Sequence, residues 1–160
     1  MNKIVIYYSM SENVDYCAKM IANKCNADLL RIFPEKAYPD KGFKKFYWGG
    51  KSAVMAETPK IQPYYFDPAK YDMIIFGTPV WASTFSPPLR TFIKENREGI
   101  KGKKYAAFAC CSGSGGNKAL NKLREFLNVD EFVTEAFFLD PKEKRNSDEA
   151  IIAFAKALEK

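Results

Sequence analysis

The sequence predicts an α/β fold, a three-layer α/β/α sandwich in which helices cover both faces of a five-stranded parallel β-sheet. Five apolar runs alternate along the chain with segments of helical periodicity, which is typical of strand–helix–strand units. The first of these runs, residues 3–9, is continuous and apolar with β-branched and aromatic residues, as a buried parallel strand requires. The chain has 160 residues, 47% of them hydrophobic, and we expect residues 1–160 to form a single domain around one core.

The first half of the chain contains two of the predicted strands. Residues 3–9, KIVIYYS, form the first strand. Apolar residues then recur at helical spacing over residues 14–25, and Asn26 is suited to end that helix. Residues 28–33, DLLRIF, form the second strand, and residues 34–70 are irregular and rich in proline and glycine.

The second half contains three further predicted strands: YDMIIFG at 71–77, KKYAAFACC at 103–111 and EFVTEAFFL at 131–139. Residues 87–96 predict a helix entered through proline in its first turn, and residues 117–127 predict a helix with leucines on one face. Ser147 is expected to cap a last helix, whose first turn is acidic.

Composition excludes several kinds of chemistry. The chain has no histidine, so Ser-His-Asp catalysis, Cys-His catalysis and imidazole metal sites are excluded. Its four cysteines lack C-x-x-C spacing, and we expect them to be reduced, buried thiols rather than zinc or redox motifs. No apolar run reaches the ~20 residues of a membrane span, and no signal-peptide pattern is present, so we expect a cytoplasmic protein. The net charge of +6 favours acidic partners.

Three loops, 9–14, 78–86 and 111–117, follow the first, third and fourth strands, and we expect them to meet at the sheet edge where such folds bind ligands. The first offers hydroxyls, Asn13 and backbone N–H groups at a helix N-terminus, which suits a phosphate group. In the second, Trp81 and Val80 next to proline form a rigid apolar wall on which a flat ring could stack. The third is rich in glycine, which lets the backbone approach a planar ligand. Together the loops suit a phosphorylated aromatic cofactor.

The same loops resemble those of the flavodoxin-like family, and the resemblance extends over nearly the whole chain. Ser9, Ser11 and Asn13 match the family's phosphate loop, while YDMIIFGTPVWAS and AAFACCSGSGG resemble its two flavin loops with the strands that precede them. The resemblance implies the sheet order 2-1-3-4-5 and noncovalently bound FMN. It also implies the cofactor-binding residues, which are Ser9, Met10, Ser11, Glu12, Asn13 and Val14 for the phosphate, and Thr78, Pro79, Val80, Trp81, Ala82, Cys111, Ser112, Gly113, Gly115 and Gly116 around the ring.

Two positions depart from the family's phosphate loop. Glu12 stands where the family has glycine, and Val14 stands where it has threonine. Ser9 and Glu12 also fit the capping-box spacing S-x-x-E, so an alternative is that Glu12 caps its own helix and no phosphate binds. Backbone N–H donors do not depend on the side chain, however, and we expect Glu12 to point into solvent. The loop TPVWAS contains no glycine, so we expect none of its residues to adopt positive φ readily.

Other functional classes fit the residues less well. Cys110 and Cys111 suggest a low-molecular-weight tyrosine phosphatase, but that chemistry needs an arginine six residues later, where Gly116 and Asn117 stand. A response regulator needs an acidic pair after the first strand, and this chain has none there. Trp81 as an ordinary core residue is a further alternative, although a strand-end loop beside proline is a poor place to bury an indole.

Residues 41–51, KGFKKFYWGGK, mix lysines with aromatic side chains, a combination that can bind single-stranded nucleic acid. We expect instead that the aromatic residues pack the long connection onto the domain and that the lysines remain in solvent.

Taken with the resemblance, the sequence predicts an FMN-binding electron-transfer flavoprotein. It would carry electrons between a reductase and an acceptor, or reduce a small acceptor at the flavin, with the redox chemistry belonging to the flavin. The expected partners are redox proteins with acidic docking surfaces, whereas a membrane or a nucleic acid is not expected. The alternative is a cofactor-free binding module of the same fold that recognises an acidic partner or nucleic acid.

Overall fold

A parallel β-sheet lies at the centre of the computed structural model, which describes residues 1–39, 50–144 and 147–160. Its strands in these ranges are β1 Lys3–Tyr7, β2 Asp28–Arg31, β3 Met73–Pro79, β4 Lys104–Cys111 and β5 Glu135–Leu139. The strand order is β2-β1-β3-β4-β5, and every neighbouring pair is parallel. The predicted fold class and the order 2-1-3-4-5 are confirmed.

Helices connect the strands and pack on both faces of the sheet. In the described ranges they are α1 Asn13–Cys25, α2 Pro87–Ile100, α3 Gly116–Leu127, α4 Pro141–Lys144 and α5 Asp148–Ala157. A short 3₁₀ turn at Pro68–Lys70 and a helical stretch at 50–54 lie in the long connection between β2 and β3. No helix in the described ranges is both long and apolar enough to cross a bilayer.

Each face of the sheet has its own hydrophobic core, because successive strand residues point to opposite sides. In β1, Val5 and Tyr7 pack with α1 and α5, whereas Ile4 and Ile6 pack with α2 and α3. Burying one such aliphatic or aromatic side chain stabilises a protein by about 1.5–3 kcal/mol. The two cores therefore hold the sheet in place and, with it, the loops at its carboxyl edge.

Some elements end earlier or begin later than the sequence predicts. β1 ends at Tyr7 rather than at residue 9 because the Ser9 hydroxyl turns back to accept the N–H of Asp15, at 3.1 Å. β5 begins at Glu135 rather than at residue 131 because the preceding segment packs Phe132 into the core under α2 and α3. Backbone pairing with β4 starts directly after Phe132, where the N–H of Val133 donates to the carbonyl of Tyr105 at 2.8 Å.

The helix ends predicted from capping residues are only partly as expected. Asn26 ends α1 in the left-handed region, with φ 52°, as expected of an asparagine C-cap. Ser147 lies at the N-cap position of α5, but its side chain makes no capping hydrogen bond. The expected capping by the Ser147 hydroxyl is therefore wrong, because its backbone is already helical, with φ −86° and ψ −8°, and not extended as a side-chain cap requires.

Candidate functional site

A groove of about 200 Å³ lies at the carboxyl ends of β1, β3 and β4. The connections from β1 and β3 leave in opposite directions at this point, which is where ligands bind in open parallel sheets. The described residues that line the groove are Met10, Ser11, Asn13, Val14, Gly50, Pro79, Val80, Trp81, Ala82, Cys110, Cys111 and Ser112. The three predicted loops therefore meet, and none of these lining side chains is charged.

The segment from Ser9 to Val14, called the β1–α1 turn below, presents a row of backbone donors. Among the described residues, the N–H groups of residues 10–14 have no acceptor, because α1 begins at Asn13 and has no earlier helical turn to bond to. The first N–H that is bonded is that of Asp15, which donates to the Ser9 hydroxyl. Unpaired N–H groups at the positive end of a helix dipole favour an anion.

Glu12 points away from the groove, as expected. Its side chain is 62% exposed and forms an ion pair with Lys142 of α4, whose backbone N–H donates to the Asn13 side-chain oxygen at 3.2 Å. The hydrogen bond and the charge of Lys142 lower the pKa of Glu12. Glu12 makes no side-chain capping bond to α1, and the Ser9 hydroxyl accepts the N–H of Asp15 rather than that of Glu12, so the capping box does not form. The backbone of Glu12 is left-handed, with φ 64°.

Replacing Glu12 by glycine is expected to raise the melting temperature and to tighten binding of a ligand that carries phosphate. Glycine adopts φ 64° without the strain of a side chain, and the change removes a negative charge beside the anion site. Thermal unfolding and ligand titration measure the two effects.

Glu12→Gln is the matched control, since it removes the charge but keeps the strained backbone. It should tighten binding without raising the melting temperature. If Glu12→Gly lowers the melting temperature and leaves the affinity unchanged, Glu12 is a helix cap and not a misplaced charge.

The loop after β3 is closed by its own hydrogen bonds. The buried Thr78 hydroxyl accepts the N–H of Ser86 at 2.9 Å and donates to the carbonyl of Pro79 at 2.8 Å. Thr78 thus stabilises the loop through these two hydrogen bonds, and its own side chain does not line the groove.

Residues 81–84 form a tight hairpin turn within that loop. Trp81 and Thr84 exchange backbone hydrogen bonds of 3.0 Å, and the two residues between them, Ala82 and Ser83, have φ 49° and 59°. The expectation that this glycine-free loop avoids positive φ is wrong. A two-residue hairpin that keeps its strands paired needs positive φ, and the Trp81–Thr84 pairing imposes it here.

The indole of Trp81 is half-buried and forms one wall of the groove. The rings of Tyr8 and Tyr38 contact it edge-on, with centroids 5.5 Å and 5.0 Å away. Such edge-to-face contacts contribute about 0.5–1.5 kcal/mol each beyond burial. Trp81 is therefore held in place by two tyrosines while it lines the groove.

Glycine is required where the loop after β4 meets the loop after β3. Gly115 has φ 99°, and a Cβ atom there would lie 2.9 Å from the Ser83 hydroxyl oxygen and 3.3 Å from the Ser83 Cα. At Gly116 a Cβ would lie 2.7 Å from the side chain of Phe137, whereas Gly113 has open space around it. Of these three glycines, only Gly115 and Gly116 are needed for close packing.

All four cysteines are free thiols, as the sequence predicts. Cys17, Cys25 and Cys110 are buried, but the expectation of burial is wrong for Cys111, which is half-buried because it lies at the end of β4 beside the groove. Partial burial raises the pKa of Cys111, so its thiol is neutral near pH 7.

The remaining predicted site residues lie beside the groove without lining it: Ser9, Glu12, Thr78, Gly113, Gly115 and Gly116. The structure adds Gly50 and Cys110 to the lining. Cys110 is the last buried residue of a predicted strand and was a recognisable candidate, whereas no pattern marks Gly50 within the irregular connection.

Residues 41–49 of the lysine-rich aromatic stretch lie outside the described residues, so its expected packing stays a prediction. In the part of the chain that the structure describes, no group of three or more cysteine, aspartate or glutamate side chains is arranged to hold a metal ion.

Comparison with protein families gives a match to the flavodoxin family over residues 2–143. No curated protein matches the sequence significantly.

Several solved structures share the fold. A flavoprotein from Lactobacillus acidophilus NCFM, crystallised in complex with FMN, has a TM-score of 0.74 at 20% identity, covering 89% of this chain and 95% of that one. A protein from Bacteroides eggerthii DSM 20697 assigned to the flavoproteins has a TM-score of 0.78 at 19% identity, covering 99% and 98%. Oxidised flavodoxin 1 from Bacillus cereus has a TM-score of 0.60 at 20% identity, covering 98% and 96%.

Proposed function

Since the chain belongs to the flavodoxin family, we propose that it is a flavoprotein that binds FMN and transfers electrons through it. One observation carries the proposal. The N–H groups of residues 10–14 that lack acceptors among the described residues lie at one end of a groove whose other walls are the Trp81 indole and the end of β4 with Ser112. This combination suits a phosphate group at one end and a flat ring at the other.

The residues present fit FMN. The N–H groups of the β1–α1 turn, the Ser11 hydroxyl and the Asn13 amide would hold the phosphate, while Val80 and Trp81 would flank the ring. Pockets that enclose a ligand usually exceed about 300 Å³, and this groove has about 200 Å³. The described residues alone would therefore cover only part of a flavin held here, and an uncovered edge would suit exchange of electrons with a partner.

Electron transfer is favoured over acid–base catalysis by the groove's lining. Its described residues include no carboxylate, lysine or arginine, so the protein supplies position and an apolar setting. The flavin supplies the redox chemistry when it is bound.

The partners we propose are redox proteins with acidic docking surfaces, or a small anionic acceptor. The net charge of +6 supports this, because a positive field steers acidic partners in a salt-dependent way. Four free thiols are consistent with a reducing compartment such as the cytoplasm.

Titration of the apoprotein with FMN, followed by flavin absorption and fluorescence, tests the cofactor. We expect saturable binding with a perturbed flavin spectrum, and weaker binding of riboflavin, which lacks the phosphate. If neither ligand binds, the flavoprotein proposal fails and the cofactor-free binding module remains.

Acceptors of opposite charge test the electron-transfer role. The chemically reduced holoprotein should reduce the ferricyanide anion with a rate that falls as salt is added, because added salt screens the attraction. With the hexaammineruthenium(III) cation the rate should rise with salt. A rate that rises with salt for ferricyanide and falls with salt for hexaammineruthenium(III) would contradict the proposed docking to acidic partners.

A further inference from the structure

Arg31, the last residue of β2, reaches across the end of β1 to the β1–α1 turn. Its Nη2 donates to the carbonyl oxygen of Ser9 at 3.0 Å, and its Nη1 lies 3.4 Å from Oδ1 of Asp15. The ring of Phe33 lies under the guanidinium, 5.0 Å from centroid to Cζ. The guanidinium is thus fixed on several sides, and its Nε is buried with no acceptor among the described residues.

Asp15 ties the same turn from the helix side. Its backbone N–H bonds the Ser9 hydroxyl, and its carboxylate accepts from the Tyr7 hydroxyl at 2.6 Å and pairs with Lys19 at 2.7 Å. Burial acts to raise the pKa of Asp15, but the hydrogen bonds from Lys19 and Tyr7 hold it below its usual value, so it is a carboxylate near pH 7. A carboxylate this close to the turn repels phosphate unless a cation compensates it.

Arg31 is the best placed of the cations that pair with acidic groups of this turn. Lys19 and Lys142 are 65% and 50% exposed, so water and salt screen them strongly. Arg31 is only 30% exposed, and its charge therefore acts through a lower effective dielectric constant.

We propose that Arg31 is a positioning residue for phosphate binding at the β1–α1 turn. By holding the Ser9 carbonyl it fixes the direction of the N–H groups that follow, and by pairing with Asp15 it cancels the charge that would oppose an anion. The inference rests on the proposed function, since the phosphate is that of FMN.

The test compares Arg31→Met, Arg31→Lys and the matched control Arg97→Met. Arg97 also donates to a backbone carbonyl, that of Phe126 at 3.0 Å, and stacks on the Phe126 ring, but it lies on α2, away from the turn. Each variant is titrated with FMN and with riboflavin. The melting temperature of each apoprotein is also compared in potassium phosphate and in potassium chloride of equal ionic strength.

Arg31→Met should weaken FMN binding about tenfold, the scale of losing a charge-assisted hydrogen bond, and change riboflavin binding less than about twofold. Arg31→Lys should recover part of the FMN affinity because it keeps the charge. Arg97→Met should leave the ratio of the two affinities unchanged. Inorganic phosphate should raise the melting temperature of the wild type and of Arg97→Met more than that of Arg31→Met.

Equal loss of FMN and riboflavin affinity in Arg31→Met would overturn the proposal, because it would indicate a general structural role. An unchanged FMN affinity would overturn it as well. If the wild type binds no FMN, the proposed function fails, and the phosphate effect on the melting temperatures still decides the role of Arg31.

Discussion

Replacing Gly115 by alanine is expected to destabilise the protein by about 1–3 kcal/mol and to weaken FMN binding by on the order of tenfold. The backbone there has φ 99°, which side chains rarely adopt, and the new Cβ would lie 3.3 Å from the Ser83 Cα. Because that contact is with backbone, rotating the Ser83 side chain does not relieve it. The two loops that flank the groove must therefore separate. Denaturant unfolding of the apoprotein and FMN titration measure the two effects.

Gly113→Ala is the matched control in the same loop, since a Cβ atom added there would meet no described atom within 4 Å. It should change stability by less than about 0.5 kcal/mol. Ser83→Gly removes the hydroxyl that a Cβ at position 115 would meet at 2.9 Å, and it suits φ 59°. The double variant should therefore recover part of the lost stability. Wild-type stability of Gly115→Ala would contradict the close approach of the two loops.

The fold could be predicted because local and global signals agree along this chain. Each buried strand is a short apolar run bounded by polar or turn residues, and each helix repeats its apolar positions at helical spacing. Parallel strands of such a sheet send their following loops to one edge. The convergence of the three loops on one groove follows from the parallel direction of the strands and from the strand order.

The conformations at positive φ could not be predicted from the loop residues. Ala82 and Ser83 have no preference for the left-handed region, and they adopt it because Trp81 and Thr84 pair across them. Glu12 adopts φ 64° where the loop needs a tight turn into α1. In both places the neighbouring structure overrides the preference of the residue.

Contacts between side chains that lie far apart in the chain also could not be predicted from the sequence. Glu12 pairs with Lys142, 130 residues later, and Arg31 reaches Ser9 from a different strand. The sequence contains many lysines and arginines, and nothing local distinguishes these two. Only the strand order, which places β2 beside β1, brings Arg31 to the turn.

Replacing Trp81 by alanine is expected to weaken FMN binding by about 1–3 kcal/mol, the scale of stacking between an aromatic side chain and a flat heterocycle. The indole lines the groove and is held there by Tyr8 and Tyr38, so little mobility is lost when a ring packs against it. Removing the indole should also relieve quenching of the bound flavin's fluorescence. Titration of the apoprotein gives the affinity, and the emission of the saturated complex gives the quenching.

Trp81 also packs against Tyr8 and Tyr38 in the apoprotein. The loss of these contacts must therefore be separated from the loss of stacking on the flavin. Trp81→Phe keeps a flat ring between the tyrosines and should lose less than half of the binding free energy that Trp81→Ala loses. Tyr65→Ala removes an aromatic side chain that is 77% exposed and lies outside the groove lining, and it should change neither affinity nor emission. The free energy of unfolding of each apoprotein shows how much stability is lost with the contacts to Tyr8 and Tyr38, apart from any loss of FMN affinity. Wild-type affinity and emission in Trp81→Ala would place the flavin ring elsewhere, because no other aromatic side chain lines the described part of the groove.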